Sequence, residues 1–156
     1  MTTWAERIAR LDRVCLDTNA VIYFLDRTEP YFDLVAHVFE RAEAGHLEIV
    51  LSALVETELL VGPLRDGNPA AVEAVRLLLD HFPGVSVHPI DRSVARAAAQ
   101  LRAAHGLATP DALIVGTAVV AGAEAIIGND RRCAARLAAP PYLVLSDYVD
   151  PASAEG

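Results

Sequence analysis

Short apolar segments that cannot support a helix alternate along this chain with longer stretches whose hydrophobic residues recur at helical spacing. That alternation constrains the fold more than any other feature. Strands separated by helices are joined by crossovers, and crossovers build a parallel sheet with helices packed on its faces. The strand candidates are 13–16, 48–51, 84–87, 125–127 and 142–145; the helical patterns cover 19–26, 31–44, 53–62, 69–82, 91–104, 110–122 and 131–138. The expected architecture is α/β, a three-layer α/β/α sandwich around a parallel sheet of four or five strands. Helix ends are punctuated, with Gly45 after the second helix, Gly62-Pro63 ending the third, Pro83-Gly84 the fourth, and Gly106 just past the fifth. Thr109-Pro110-Asp111 reads as N-cap, N1 and N2 of the sixth, with proline where its missing N–H is not needed.

A chain of 156 residues is expected to form one domain over 1–150, with a frayed tail at 151–156. Its 53% hydrophobic content and mean hydropathy of +0.31 argue against disorder and leave apolar surface for self-association. The longest apolar run, Ala112 to Ala123, is too short to cross a bilayer. The opening MTTWAERIARLDR lacks the apolar core of a secretory signal, so a cytoplasmic location without a membrane partner is the expectation. Cys15 and Cys133 form no C-x-x-C pair and read as buried free thiols. None of the five histidines recurs at the i, i+4 spacing of a zinc-binding helix.

Thirteen basic residues against twenty-one acidic ones leave a net charge of −8, which disfavours binding a polyanion by charge alone. The objection weakens where acids are gathered in one site and neutralised by divalent cations. Every basic residue is arginine, and the absence of lysine excludes a Walker phosphate loop and a Schiff base.

Ligands of open parallel sheets gather beyond the carboxyl ends of the strands, so acids there need an explanation. Asp17 ends the first strand in "VCLDTNAVIYFL", and Asp130 follows the fourth in "AIIGND". Asp111 is the first charge of a helix whose next twelve residues, ALIVGTAVVAGA, carry none, so that helix is expected to be packed inside and its acid half-buried. A helix dipole stabilises such an acid by roughly 0.3 to 1 kcal/mol, whereas desolvating a carboxylate costs several kcal/mol. A cation could cover the difference. In "SALVETELLVGP", Glu56 and Glu58 lie on nearly opposite faces of one helix, and periodicity does not choose between them. Glu58 would sit about 9 Å along its helix from Ser52, a span that suits the longer glutamate side chain.

Converging acids of this kind are what Mg²⁺ requires, and such ions activate water and stabilise the leaving oxygen of a phosphodiester. Taken singly, each acid has an ordinary role: Asp17 as an N-cap, Asp111 as a first-turn acid, Asp130 as a loop acid, and Glu58 as half of a surface pair. Their joint placement is what points to a nuclease.

Three segments in order, "VCLDTNAVIYFL", "LSALVETELLVGP" and "LATPDALIVGTAVVAGAEAIIGND", resemble the PIN-domain ribonucleases, in particular the VapC-type toxins of bacterial toxin–antitoxin systems. The resemblance implies Asp17, Glu58 and Asp111 as the core Mg²⁺ or Mn²⁺ ligands and Asp130 as the fourth acid. It selects Glu58 over Glu56, and it gives Asn19 the task of orienting the first aspartate. Capping the following helix is an ordinary role for Asn19 and is compatible with that task. The implied activity is metal-dependent endonucleolytic cleavage of RNA. The implied partners are a small VapB-type antitoxin, whose C-terminal segment wraps the toxin and blocks the acidic pocket, and a second copy in a homodimer.

The sequence departs from the pattern at Gly128, where many relatives carry a hydroxyl residue two positions before the last acid. A supporting hydrogen bond is therefore expected to be missing there. Cys133 replaces a more usual aromatic and reads as packing. Arg102, Arg131, Arg132 and Arg136 are candidates for phosphate contacts or for solvated helix faces. Tyr23 and Phe24 fit base stacking less well than the core. A catalytically silent module that binds RNA or protein is the competing reading. A HAD-like phosphatase ranks far behind, because "DTNAV" lacks the second acid of D-x-D-x-T and no lysine is available.

Overall fold

Five parallel strands, β1 (Arg13–Leu16), β2 (Glu48–Ser52), β3 (Val85–His88), β4 (Ala125–Gly128) and β5 (Tyr142–Val144), pair in the order β3-β2-β1-β4-β5 in the computed structural model, which describes residues 1–153. Each strand segment read from the sequence forms. Val14, Cys15 and Leu16 of β1 and Ala125, Ile126 and Ile127 of β4 are wholly buried, as strands covered on both faces must be. β3 lies at an edge and is only partly covered.

The helices are α1 (Trp4–Ala9), α2 (Thr18–Leu25), α3 (Phe32–Glu43), α4 (Ala53–Arg65), α5 (Pro69–His81), α6 (Arg92–His105), α7 (Thr109–Val120) and α8 (Arg131–Arg136). Right-handed crossovers put the helices between β1, β2 and β3 on one face of the sheet and the return from β3 to β4 on the other. The three-layer α/β/α arrangement follows. On the return path α7 packs against β1, β2 and β4. Phe39 anchors the core under α3, stacked on Phe24 with ring centroids 4.0 Å apart.

Several local features differ from the sequence reading. α1 was not expected; it is held by a reciprocal cap in which Glu6 accepts the Thr3 N–H at 2.8 Å and Thr3 accepts the Glu6 N–H. Trp4 fastens it to α3 by donating Nε1–H to the Leu34 carbonyl at 2.8 Å. Gly62-Pro63 does not end α4, which runs on to Arg65. Proline removes only the N–H that would have met the Leu59 carbonyl, while the Gly62 and Pro63 carbonyls are taken by the N–H groups of Asp66 and Asn68. The N-cap of α7 is Ala108 rather than Thr109, whose hydroxyl instead accepts from Arg102 Nη1 at 2.6 Å. Asp111 is consequently the third helical residue.

α7 buries Ala112, Ile114, Val115, Gly116, Thr117 and Ala118 but exposes Val119 and Val120 at its end. A Cβ on Gly116 would lie 3.1 Å from both the Val94 carbonyl and the Ala98 nitrogen of α6. That near-contact of backbones seats α7 and hence Asp111. Both cysteines are buried free thiols. Pro151–Ser153 forms a 3-10 turn, and the remainder of the tail expected to fray lies outside the described residues.

Candidate active site

The chain leaves β1 toward β2 and β3 on one side and returns to β4 and β5 on the other. The loops after β1 and β4 therefore diverge, opening a crevice at their carboxyl ends. Asp17 follows β1 directly, and its N–H continues the ladder by donating to the Ile127 carbonyl at 2.8 Å. Asp130 stands two residues beyond β4, and Asp111 sits in the first turn of α7. Asp130 is the N-cap of α8, with Oδ1 accepting the N–H groups of Arg132 at 2.9 Å and Cys133 at 3.1 Å.

Asp17 is also a cap, for α2, with Oδ1 accepting the Thr18 N–H at 2.8 Å. Its other oxygen, Oδ2, accepts the hydroxyl proton of Tyr142 at 2.7 Å. The same hydroxyl accepts the Asp130 N–H at 3.1 Å. The hydrogen bond expected to be missing at Gly128 is thus supplied by the neighbouring strand. Burial pushes the Tyr142 phenol far above its ordinary value, so the proton stays on oxygen.

Burial raises the Asp17 carboxyl above its usual range against the pull of the Tyr142 and Thr18 hydrogen bonds, and the Asp130 charge adds to the rise. The Asp111 carboxyl is raised first by desolvation and then by the charges of Asp130, Asp17 and Glu58. Cys133 is pushed up to about 12 by burial, with Asp111, Asp17 and Asp130 contributing. These mutual influences place the acids within electrostatic reach of one another.

Glu58 is exposed on α4 and lines a groove with Ile22, Leu25, Asp26 and Val75. Of the two glutamates of α4, it is the one whose charge reaches Asp111. Asp111 and Asp130 share a cleft of about 320 Å³ with Leu107, Arg132, Cys133 and Arg136. Among the described residues the ion pairs are Arg13–Glu48 and Arg131–Asp147, so no basic side chain neutralises any of the four acids. The donor set, carboxylate oxygens only, suits a hard divalent ion. Among the described residues no three of these side chains are drawn into a ready-made ligand shell, as like charges favour separation.

The arginines divide. Arg131 is paired with Asp147 at 2.7 Å, Arg102 donates to the Leu107 carbonyl and Thr109, and Arg136 donates to the Gly106 carbonyl while lining the cleft. Arg132 lines it with no side-chain partner among the described residues. Tyr23 is stacked on Tyr31 and Phe24 on Phe39, so both are engaged within the protein.

Asn19 makes its hydrogen bond to the Asn129 N–H, beside Asp130, and not to Asp17. The cap of α2 is Asp17 rather than Asn19. Tyr142, Asn129 and Ser146 support the site and were not read from the sequence. Asn129 stands in the "GND" turn and takes both the N–H and the hydroxyl of Ser146 on its Oδ1, at 3.0 and 2.6 Å. An amide beside a strand-end acid was the only signal available.

A family model for the PIN domain matches residues 14–140. The chain belongs to the PIN-domain family. No curated protein matches it in sequence. Among solved structures, it is similar to a chain of VapBC2 from Rickettsia felis bound to a promoter DNA fragment, with 15% identity, a TM-score of 0.67 and coverage of 85% of this chain and 98% of that one. A chain of DNA-bound VapBC from Salmonella typhimurium matches with 18% identity, a TM-score of 0.66 and coverage of 86% and 98%. VapC20 from Mycobacterium tuberculosis, described as a sarcin-ricin loop cleaving toxin, matches with 16% identity, a TM-score of 0.56 and coverage of 72% and 86%. At such identities the likeness is one of fold.

Proposed function

We propose that this chain is a divalent-metal-dependent endoribonuclease and the toxin of a VapBC-type pair, acting in the cytoplasm. The observation that carries the reading is the set of acids at the switch point, Asp17, Asp111 and Asp130 with Glu58 beside them, none paired with a basic side chain among the described residues. An uncompensated carboxylate cluster is costly to fold and is expected where it serves a cation. Asp17, Glu58, Asp111 and Asp130 would hold Mg²⁺ or Mn²⁺. Bound there, the metal would activate water and stabilise the leaving oxygen of an RNA phosphodiester.

The chain's own groups prepare that site. Asp17 is clamped at both oxygens, by Thr18 and Tyr142. Asp130 commits Oδ1 to the α8 N-terminus, which leaves Oδ2 for a ligand. Arg132 and Arg136 flank the acids and suit the flanking phosphates of a bound strand.

The family membership and the VapBC complexes of like fold support an RNA substrate and a VapB-type antitoxin. The apolar groove of Ile22, Leu25, Leu59 and Val75 runs past Glu58 and suits an antitoxin segment that would cover the acids. Exposed Val61, Leu64 and Leu77 add apolar surface for a homodimer. Among the described residues no single helix is long and apolar enough to cross a membrane.

The test is cleavage of structured RNA by the purified protein with Mn²⁺, set against Asp17→Asn. The parent is expected to cut, and the variant to lose activity by about two orders of magnitude. A variant that cuts as well as the parent ends the catalytic assignment. Absence of both cleavage and carboxylate-dependent Mn²⁺ binding would instead identify a silent binding module.

A further inference from the structure

We infer that Tyr142 is a positioning residue of the acidic site, locking Asp17 and Asp130 in fixed relation through one hydroxyl, and that Gly128 is small in order to admit that hydroxyl. The inference rests on the reading of Asp17 and Asp130 as metal-site acids. Tyr142 pairs with Ile126 in the β4–β5 register, and its ring leans along the strand toward Gly128 and the rim. A Cβ on Gly128 would overlap the Tyr142 hydroxyl oxygen and would lie 2.9 Å from its Cζ and 2.7 Å from Asp17 Cβ. Gly128 is not among the glycines with positive φ, so the backbone does not require glycine there. Space for the phenol and for the Asp17 side chain does.

The direction of the hydrogen bonds is settled by elimination. The Asp130 N–H can only donate, so the hydroxyl oxygen accepts it at 3.1 Å. Its single proton is then committed to Asp17 Oδ2 at 2.7 Å. With Oδ1 held by the Thr18 N–H, the Asp17 carboxylate has a fixed rotation and one lone pair on each oxygen still available. Tyr142 therefore sets both the aim of Asp17 and its offset from the Asp130 backbone. Partners one layer outside a metal site act in this way, fixing the orientation of the ligands.

The experiment is calorimetric titration of Mn²⁺ into the parent, Asp17→Asn and Tyr142→Phe, with circular dichroism melts of each. Asp17→Asn tests the underlying reading: if it binds Mn²⁺ as the parent does, the acids are not the metal site and the role of Tyr142 falls with them. Where Asp17→Asn loses the metal, Tyr142→Phe is expected to keep its fold and bind Mn²⁺ about tenfold more weakly. Parental affinity in a folded Tyr142→Phe protein overturns the inference while leaving the reading of the acids intact. Should that variant fail to fold, Gly128→Ala takes its place, its methyl displacing the hydroxyl and crowding Asp17 Cβ as well. Undiminished Mn²⁺ affinity in Gly128→Ala overturns the inference equally.

Discussion

Asn19 accepts the backbone N–H of Asn129 on its Oδ1 at 3.1 Å, so the first turn of α2 grips the loop that carries Asp130. Asn129 passes the grip on: its Oδ1 takes two hydrogen bonds from Ser146, and its Nδ2 donates to the Tyr23 hydroxyl at 3.3 Å. Three segments distant in sequence thereby meet at one amide. Asn129→Ala strands the Ser146 N–H in a half-buried setting and is expected to destabilise the protein by about 2 kcal/mol, measured by urea denaturation. A loss below a few tenths would show that water replaces the amide without cost.

The two glutamates of α4 offer a contrast within one helix. Glu58 acts electrostatically on Asp111, whereas Glu56 does not figure among the charges that do. Glu58→Gln is expected to weaken Mn²⁺ binding by about tenfold, and Glu56→Gln to leave it unchanged. Calorimetry on the two variants, side by side, checks this; equal effects would remove Glu58 from the site.

Asp111 carries a sign that can be tested with pH. Its folded-state carboxyl is raised by desolvation and by Asp130, Asp17 and Glu58, so its ionised form opposes folding. Between the unfolded value and the raised folded value the native state binds more protons, and stability falls as pH rises through that window. Above it the penalty is complete; below the unfolded value it is absent. Asp111→Asn is therefore expected to raise the Tm of the metal-free protein at neutral pH, with the gain vanishing as pH falls toward 4. A gain of equal size at both ends of the range would mean that charge is not the cause.

The thiols are expected to be inert. Burial pushes both Cys15 and Cys133 up to about 12, and each is buried in the fold. Neither should react with iodoacetamide at pH 8 in the native protein, and both should react in guanidinium, as mass spectrometry will record. Native alkylation at Cys133 would reveal that the cleft floor opens.

Much of this was legible from local pattern. β1 and β4 read as strands because their apolar runs are short and bounded by acids or glycine; Asp17 and Asp130 stood out because they follow those runs, and Asp111 because it precedes a long uncharged helix. α1 escaped because six residues are too few for periodicity, although the Thr3 and Glu6 pair of its capping box was visible. Glu58 against Glu56 could not be decided by spacing, since the choice depends on where α4 lies relative to α7. Tyr142 was beyond reach for a different reason. Its role depends on the β4–β5 register, a long-range pairing that no local window encodes.

β5 is the last strand among the described residues, and it brings the phenol that spans the two central acids. Translation at about 5–20 residues per second delivers Asp17 many seconds before Tyr142 can dock against it. A nascent polypeptide that has grown as far as Asp130 therefore carries all four acids but not the phenol that aligns two of them.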